Sequence, residues 1–424
     1  MDVQPGPHPL NPALPLDVIT RIADYLLAFR NDLNSAIIKY GDIDDDIKKS
    51  QAAAAALAGS RALRQHINPM LYQSPRFETV EQMYLFCRTI GRDRGYHVPR
   101  NRDADGLTPM VRRLILTPRM GSGRRVFGLP SIEKRQVDHF FLECLEQCTW
   151  ITSVVVPFER SREIHEKVML RSSRVVELGL CAKNNMDYHF LDLDALDRFM
   201  NVAGPGGAPM LSTKIKHLSL DNYSYAPGRS YSGPVDIPLE SLSLHAGNLS
   251  AQSLSRLLHF STNTLTSLSI DFAGHEPGLH ITTNAFTHAI EHIAHLQDLT
   301  ILGYPHLRRV ERVIIQTAGL LDQLSVQLPE LRSLEFDDDL ATKALLENAP
   351  LSLQSLYIIR PTSIKPSDLP LLSAQAARRQ LSLRKVVVAW REEDVAEWQR
   401  FGTAVTSLLA IQGIQLFSAT ARSS

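Results

Sequence analysis

Apolar and polar positions along this chain fall into a phrase that returns. Ile215-Lys-His-Leu-Ser-Leu-Asp221 is followed by Leu239-Glu-Ser-Leu-Ser-Leu-His245 and Leu265-Thr-Ser-Leu-Ser-Ile-Asp271. Leu296-Gln-Asp-Leu-Thr-Ile-Leu302, Leu331-Arg-Ser-Leu-Glu-Phe-Asp337 and Leu353-Gln-Ser-Leu-Tyr-Ile-Ile359 repeat it. The skeleton is apolar, two variable residues, apolar, variable, apolar. Its last part alternates with a period of two, so each copy predicts a short strand with one buried side. Such a unit cannot bury that side alone and needs a copy stacked on each face.

Weaker copies extend the run. Val111–Thr117, Ile151–Pro157 and Val175–Cys181 fit, and Val386 marks a further candidate. Taking the middle apolar residue as marker gives positions 114, 154, 178, 218, 242, 268, 299, 334, 356 and 386. Between them lie segments of helical period: 132–148 with Val137, Phe140, Phe141 and Leu145, then 251–260, 283–295 and 341–348. Leu321-Asp-Gln-Leu-Ser-Val326 also fits the phrase but sits too close to the next marker to hold a strand and its return. It is read as the end of a helix. Alternating strands and helices imply right-handed crossovers and a parallel sheet. Residues 391–410 predict a final helix over the last apolar edge, and 414–420 a closing strand.

The N-terminal part reads differently. Residues 1–12 form a proline-rich tail. Residues 14–30 predict a helix, with Pro15 in its first turn, where no amide proton is needed, and Asp17 at its positive end. Leu14, Val18, Ile22 and Leu26 share one side, widened by Ile19 and Leu27. Residues 40–51 are polar and acidic. Residues 52–67 are alanine-rich and helical until Asn68-Pro69. A short helix over 79–92 and an Arg-, Asp- and Gly-rich loop over 93–109 lead into the repeats.

Composition narrows the classes. The 45 basic and 45 acidic residues balance, which is not the footprint of a nucleic-acid binder. Cys87, Cys144, Cys148 and Cys181 sit in apolar segments without tight metal-ligand spacing, so buried, reduced thiols are expected. The first residues lack the basic-then-apolar order of a secretory signal, and no run of about 20 apolar residues suggests a membrane span. An intracellular protein follows, with cytoplasm and nucleus unresolved. No phosphate loop, dinucleotide fingerprint, cofactor site or metal site is found. His217, Asp221, His245 and Asp271 mimic a catalytic or metal cluster. On successive strands they point out side by side with no pocket to exclude water, so no enzyme is expected.

Two resemblances carry the reading further. The LxxLxL phrase with helical returns, over 110–390, resembles the leucine-rich repeat family. That family implies an α/β solenoid with parallel strands on the concave side and helices on the convex side. Leu14-Pro-Leu-Asp-Val-Ile19 with Ile22, Ala23, Tyr25, Leu26 and Leu27, then Ser60-Arg-Ala-Leu-Arg64 and Pro69-Met-Leu-Tyr72, resemble an F-box of fungal type. The box would span 13–78 as a small helical head, with an acidic insertion near 31–51 that departs from the family. The insertion leaves two readings open: an intact box with a bulge, or a degenerate one.

The F-box resemblance implies an adaptor that binds a Skp1-type linker, and through it a cullin of a ubiquitin ligase, while the repeats recruit a protein substrate. The linker-binding residues it implies are Leu14, Pro15, Leu16, Ile19, Ile22, Leu26, Leu63 and Pro69. The alternative is a repeat scaffold with a degenerate box and no ligase role. Strand alternation supplies the substrate-facing candidates: His217, Asp221, His245, Asp271, Asp298, Glu335, Asp337 and Tyr357. In this reading 79–109 is a linker and 391–424 a C-terminal cap and tail.

Overall fold

The computed structural model describes residues 72–90, 108–121, 136–157, 175–181, 191–192, 215–221, 223–224, 239–245, 254–255, 258, 261–271, 283–290, 292–293, 295–302, 319–337, 340–361, 363–379 and 381–420. Twelve strands form one sheet. They are β1 (Arg76–Thr79), β2 (Arg113–Gly121), β3 (Ser153–Pro157), β4 (Glu177–Cys181), β6 (His217–Asp221) and β8 (Ser241–His245). The sheet continues with β9 (Ser267–Asp271), β10 (Asp298–Leu302), β11 (Ser333–Asp337), β12 (Ser355–Ile359), β13 (Lys385–Trp390) and β14 (Gln415–Thr420). Their order in the sheet is their order in the chain, and every neighbouring pair is parallel. Two further strands, β5 (Leu191–Asp192) and β7 (Tyr223–Ser224), pair in a separate small ladder. The repeat phrase does not foreshadow that ladder.

Register explains why the phrase recurs. Leu114, Val154, Leu178, Leu218, Leu242, Leu268, Leu299, Leu334, Leu356, Val386 and Leu416 are matched strand by strand. All but the last, which packs against the core from a partly exposed position, are buried. This column is the set of markers read from the sequence, extended by one. A one-residue slip in any pair would turn that strand's apolar set outward, so the register is strongly specified. Ile215, Leu239, Leu265, Leu296, Leu331 and Leu353, three residues before the markers, are also buried, as the first apolar letter of the phrase requires.

The returns carry helices α1 (Val80–Ile90), α2 (Gln136–Gln147), α3 (Thr283–Ile290), α4 (Leu320–Gln327), α5 (Lys343–Glu347), α6 (Pro370–Arg379) and α7 (Val395–Ile411). Leu254, Ser255 and Leu258 are helical as well, within the segment expected to be so. Neighbouring helices touch: α1 meets α2, α3 meets α4, α4 meets α5, and α5, α6 and α7 follow in sequence. The ambiguous stretch at Leu321 is helix α4. Gly319, in the left-handed region at φ 84°, turns the chain into it, and Leu320, Leu321 and Leu324 bury one side. One layer of parallel strands backed by helices, with only sequential neighbours in contact, is a leucine-rich-repeat solenoid of α/β class.

The sheet begins earlier than the repeat phrase. β1 begins within the stretch given to the helical head and ends one residue past it, and α1 lies in the stretch read as a linker. Yet β1 pairs with β2, and α1 packs against both β1 and α2. Arg112 N donates to Gln73 O at 2.9 Å and Ile115 N to Pro75 O at 3.1 Å, which ties this segment to the solenoid. The stretch Arg-Phe-Glu-Thr offers one buried apolar residue, Phe77, so the repeat phrase does not reveal it. At the other end, β14 continues the sheet and α7 packs on it, as the C-terminal pattern leads one to expect. The F-box-like residues Leu14, Pro15, Leu16, Ile19, Ile22, Leu26, Leu63 and Pro69 lie outside the described residues.

Two tests follow from the packing. At Gly179 a Cβ would lie 2.9 Å from Val155 Cγ2 on the neighbouring strand. Gly179→Ala should cost about 1–3 kcal/mol by overpacking, read as a lower denaturation midpoint at unchanged slope. Cys87 and Cys144 place their sulfurs 3.0 Å apart between α1 and α2, with Cys148 also buried and reduced. Burial, reinforced by the neighbouring thiols, pushes Cys144 up, and burial drives Cys148 to about 12. These three thiols should resist alkylation in the native protein at pH 8 and react once it is unfolded, counted by mass spectrometry.

Candidate functional site

The strand face opposite the helices is the broad surface of the molecule. Register sorts its side chains into rows. One row, at the residue between the two buried ones of each strand, runs Ser219, Ser243, Ser269, Thr300, Glu335, Tyr357, Val387 and Phe417. The adjoining row runs Glu177, His217, Ser241, Ser267, Asp298, Ser333, Ser355, Lys385 and Gln415. Every residue of both rows is partly or fully exposed. Alternation puts them there: the second row lies two residues before the first on each strand, so both point to the side opposite the buried markers.

The middle of the face is a field of hydroxyls with short side chains. Charge gathers at its ends. Toward the N-terminal end, Arg113 Nε donates to Ser153 Oγ at 2.9 Å, and its guanidinium pairs with Glu177 two strands away. At the edge of the field Lys216 Nζ meets Glu240 Oε1 at 2.5 Å, and this hydrogen bond lowers the Glu240 carboxyl below its usual range. Thr300 Oγ1 donates to Glu335 Oε2 at 3.3 Å. Toward the C-terminal end the surface turns aromatic. Lys385 Nζ donates to Tyr357 Oη at 3.2 Å and lies 5.1 Å from the Tyr357 ring centroid and 5.7 Å from that of Phe417.

Four of the expected contact residues stand on this face, His217, Asp298, Glu335 and Tyr357, all in the two rows; the side chain of Asp221, at the end of β6, lies outside the described residues. Three do not stand in solvent. His245, Asp271 and Asp337 are only 3%, 5% and 2% exposed. Alternation gives their direction correctly, since Ser243 Oγ and His245 Nε2 lie 2.8 Å apart on one side of β8. Direction is not exposure: each residue ends its strand, and the rim of the sheet is covered there. Asp337 meets the Arg360 guanidinium at 3.6 Å, and Arg360 is held at φ 49° with its N–H donating to Ala389 O at 2.7 Å. Polar residues are kept at these ends to be bonded within the protein, and they are withdrawn from the contact surface. At β12 and β13 the corresponding residues, Ile359 and Ala389, are less covered, so the face is more open toward its C-terminal end.

Sequence reasoning missed Lys385, Val387 and Phe417. For Lys385 and Val387 the signal lies in the alternation around Val386, a copy that lacks leucine; for Phe417 it lies in the closing strand expected at 414–420. Among the described residues no cluster of His, Cys, Asp and Glu has the arrangement to hold a metal ion. No helix among them is long and apolar enough to cross a membrane.

No family profile matches the sequence, and no curated protein matches it. Among the solved structures that the chain is similar to are the following two. An internalin (inlF) from Listeria monocytogenes is 13% identical with a TM-score of 0.30, over 77% of this chain and 80% of that one. The mouse RP105/MD-1 complex is 16% identical with a TM-score of 0.27, over 65% of this chain and 34% of that one.

The electrostatics of the face yield a test. Desolvation by its neighbours raises the Asp298 carboxyl, although the side chain reaches solvent, and the charge of Arg332 pulls it only partly back. A raised carboxyl favours the folded state as pH falls, so the ionised group carries a small cost at neutral pH. Asp298→Asn should therefore leave stability unchanged or slightly higher at pH 7. The difference should shrink as pH falls through the carboxyl's titration, measured by urea midpoints across the range.

Proposed function

We propose that this chain is a substrate-recruiting adaptor of a Skp1–cullin–F-box ubiquitin ligase. Its strand face would take the protein substrate, and the segment from Leu14 to Pro69 would take the Skp1-type linker. The open strand face carries the reading. Twelve parallel strands present exposed hydroxyls, an acidic stretch at Asp298 and Glu335, and an aromatic cluster at Tyr357 and Phe417. Such a surface suits a macromolecule better than a small substrate, because among the described residues it is open and offers many weak contacts around a few aromatic anchors.

The linker half rests on the F-box-like residues. Leu14, Leu16 and Ile19 around Pro15 would serve as aliphatic anchors for a partner, because a head of this size does not readily bury so many alone. The acidic insertion near 31–51 favours the second reading, a protein-binding repeat scaffold whose box has lost its partner. Coexpression with a Skp1-type protein separates the two. A stable one-to-one complex is expected, weakened about tenfold or more by Leu14→Glu or Ile19→Glu and unaffected by Tyr357→Ala on the strand face. A folded chain that stays apart from the linker protein leaves the scaffold reading.

A further inference from the structure

The C-terminal end of the solenoid is built differently from an ordinary exposed edge. Natural sheets guard an edge with lysines, prolines, inward charges or bulges. β14, Gln-Leu-Phe-Ser-Ala-Thr, has none of these, and among the described residues it pairs only with β13. From Phe401 to Ala421 the sequence holds no charged residue and no proline. Gln415, Phe417, Ser418 and Ala419 are exposed, Phe417 at 50%. β1, at the opposite edge, carries Arg76 and Glu78.

Helix α7 presents a matching flank. Gly402, Val405 and Leu409 are buried toward the sheet, and Ser373 Oγ of α6 donates to Leu408 O at 3.3 Å, which fixes the flank that faces α6. The flank across the buried line, facing away from the rest of the solenoid, carries Gln399, Thr403, Thr406 and Ala410. All four are exposed, uncharged and, but for Gln399, short. A shallow cleft of about 400 Å³ runs along it beside Trp398 and Gly402.

We propose that this end is a homodimer interface, in which β14 pairs antiparallel with β14 of a second copy about a two-fold axis normal to the sheet. The backbone geometry selects that arrangement. Gln415 N donates to Arg384 O at 2.8 Å, so the polar backbone groups of 415, 417 and 419 point to β13, and those of Leu416, Ser418 and Thr420 point outward. A two-fold axis normal to the sheet pairs only positions of equal parity. Centred on Phe417, it sets Leu416 against Ser418 of the copy and Ser418 against Leu416, each exchanging its outward N–H and C=O. Phe417 then meets its own copy on the strand face.

The same axis serves the helices. Thr406 lies five residues along α7 from its last residue, about 7.5 Å, and Phe417 lies two residues along β14 from its first, about 6.6 Å. Since the helix and strand run in opposite directions and join at those ends, Thr406 and Phe417 fall at nearly one height. The two α7 flanks therefore cross the axis together at Thr406, where the short side chains of Thr403, Thr406 and Ala410 permit close approach. Phe401–Ala421 itself brings no like charges together when two copies are apposed; the nearest charge to the axis on the strand face is Lys385 of β13, 5.7 Å from the Phe417 ring. A head-to-tail pairing of β14 with β1 would instead leave edges open and grow without closing. The dimer closes, and it turns both strand faces to the same side of one continuous sheet.

Sedimentation velocity of the full chain over a concentration series tests this. The wild type should sediment as a dimer that dissociates on dilution. Ser418→Pro removes an outward N–H without touching the bonds to β13, and the dimer loses it twice. Phe417→Lys places two like charges at the axis. Each should raise the dissociation constant about tenfold or more while thermal unfolding measured on the monomer stays near wild type. Val326→Lys, on exposed α4, should leave the dimer intact. A wild type that remains monomeric throughout overturns the proposal, including the case in which hydrogen exchange shows β14 covered by another segment of its own chain. A dimer that survives both Ser418→Pro and Phe417→Lys overturns it too.

Discussion

Everything in this molecule hangs on one backbone bond made over and over. Just before each strand, an amide donates sideways to a carbonyl of the preceding repeat. Thr152 donates to Arg112, Val176 to Thr152, Lys216 to Val176, Glu240 to Lys216 and Thr266 to Glu240. Gln297, Arg332, Gln354 and Arg384 continue the relay, at 2.7–2.9 Å throughout. Each of these accepting carbonyls also takes a second amide, that of the next residue, so each repeat is clamped at its entry before its strand begins. The bond is indifferent to side chains, which is why Thr, Lys, Glu, Gln and Arg can all occupy the position. The side chains are thereby left to other tasks. Apolar ones three residues apart fill the core, and the residues between them are available for a surface.

That division of labour decides what the sequence can reveal. The apolar column from Leu114 to Val386 was legible because burial imposes a letter at every step, and the letters recur at matched register. Phe77 in β1 and Leu416 in β14 belong to the same sheet but, among the described residues, have a neighbouring strand on one side only. The phrase relaxes there, and the edges were harder to place than the middle. The rows of Ser219, Ser243 and Ser269 were legible in direction, because period two is a property of the backbone. The burial of His245, Asp271 and Asp337 was not. Cover at a strand end comes from residues distant in sequence, such as Arg360 over Asp337, and no local pattern encodes it.

Lys385 shows the same limit from the other side. Its position on the face follows from alternation, but its place between Tyr357 and Phe417 depends on β12, β13 and β14 lying side by side, which only the fold provides. The fold class was therefore readable almost residue by residue, while the chemistry of the surface was readable only as a list of residue types. A charge or an aromatic ring acquires meaning here from the strand next to it, more than from its neighbours in the chain.

The regular spacing of the strands also makes the face a ruler. Eleven steps of about 4.8 Å give a surface on the order of 50 Å long, against about 30 Å for a small domain. A compact partner resting on the aromatic end at Tyr357 would leave the Arg113 and Glu177 end uncovered. Occupying the full length takes either an extended chain or a partner with two separate contact points. Inserting or deleting one repeat would change the distance between those points by one strand spacing and leave each contact intact.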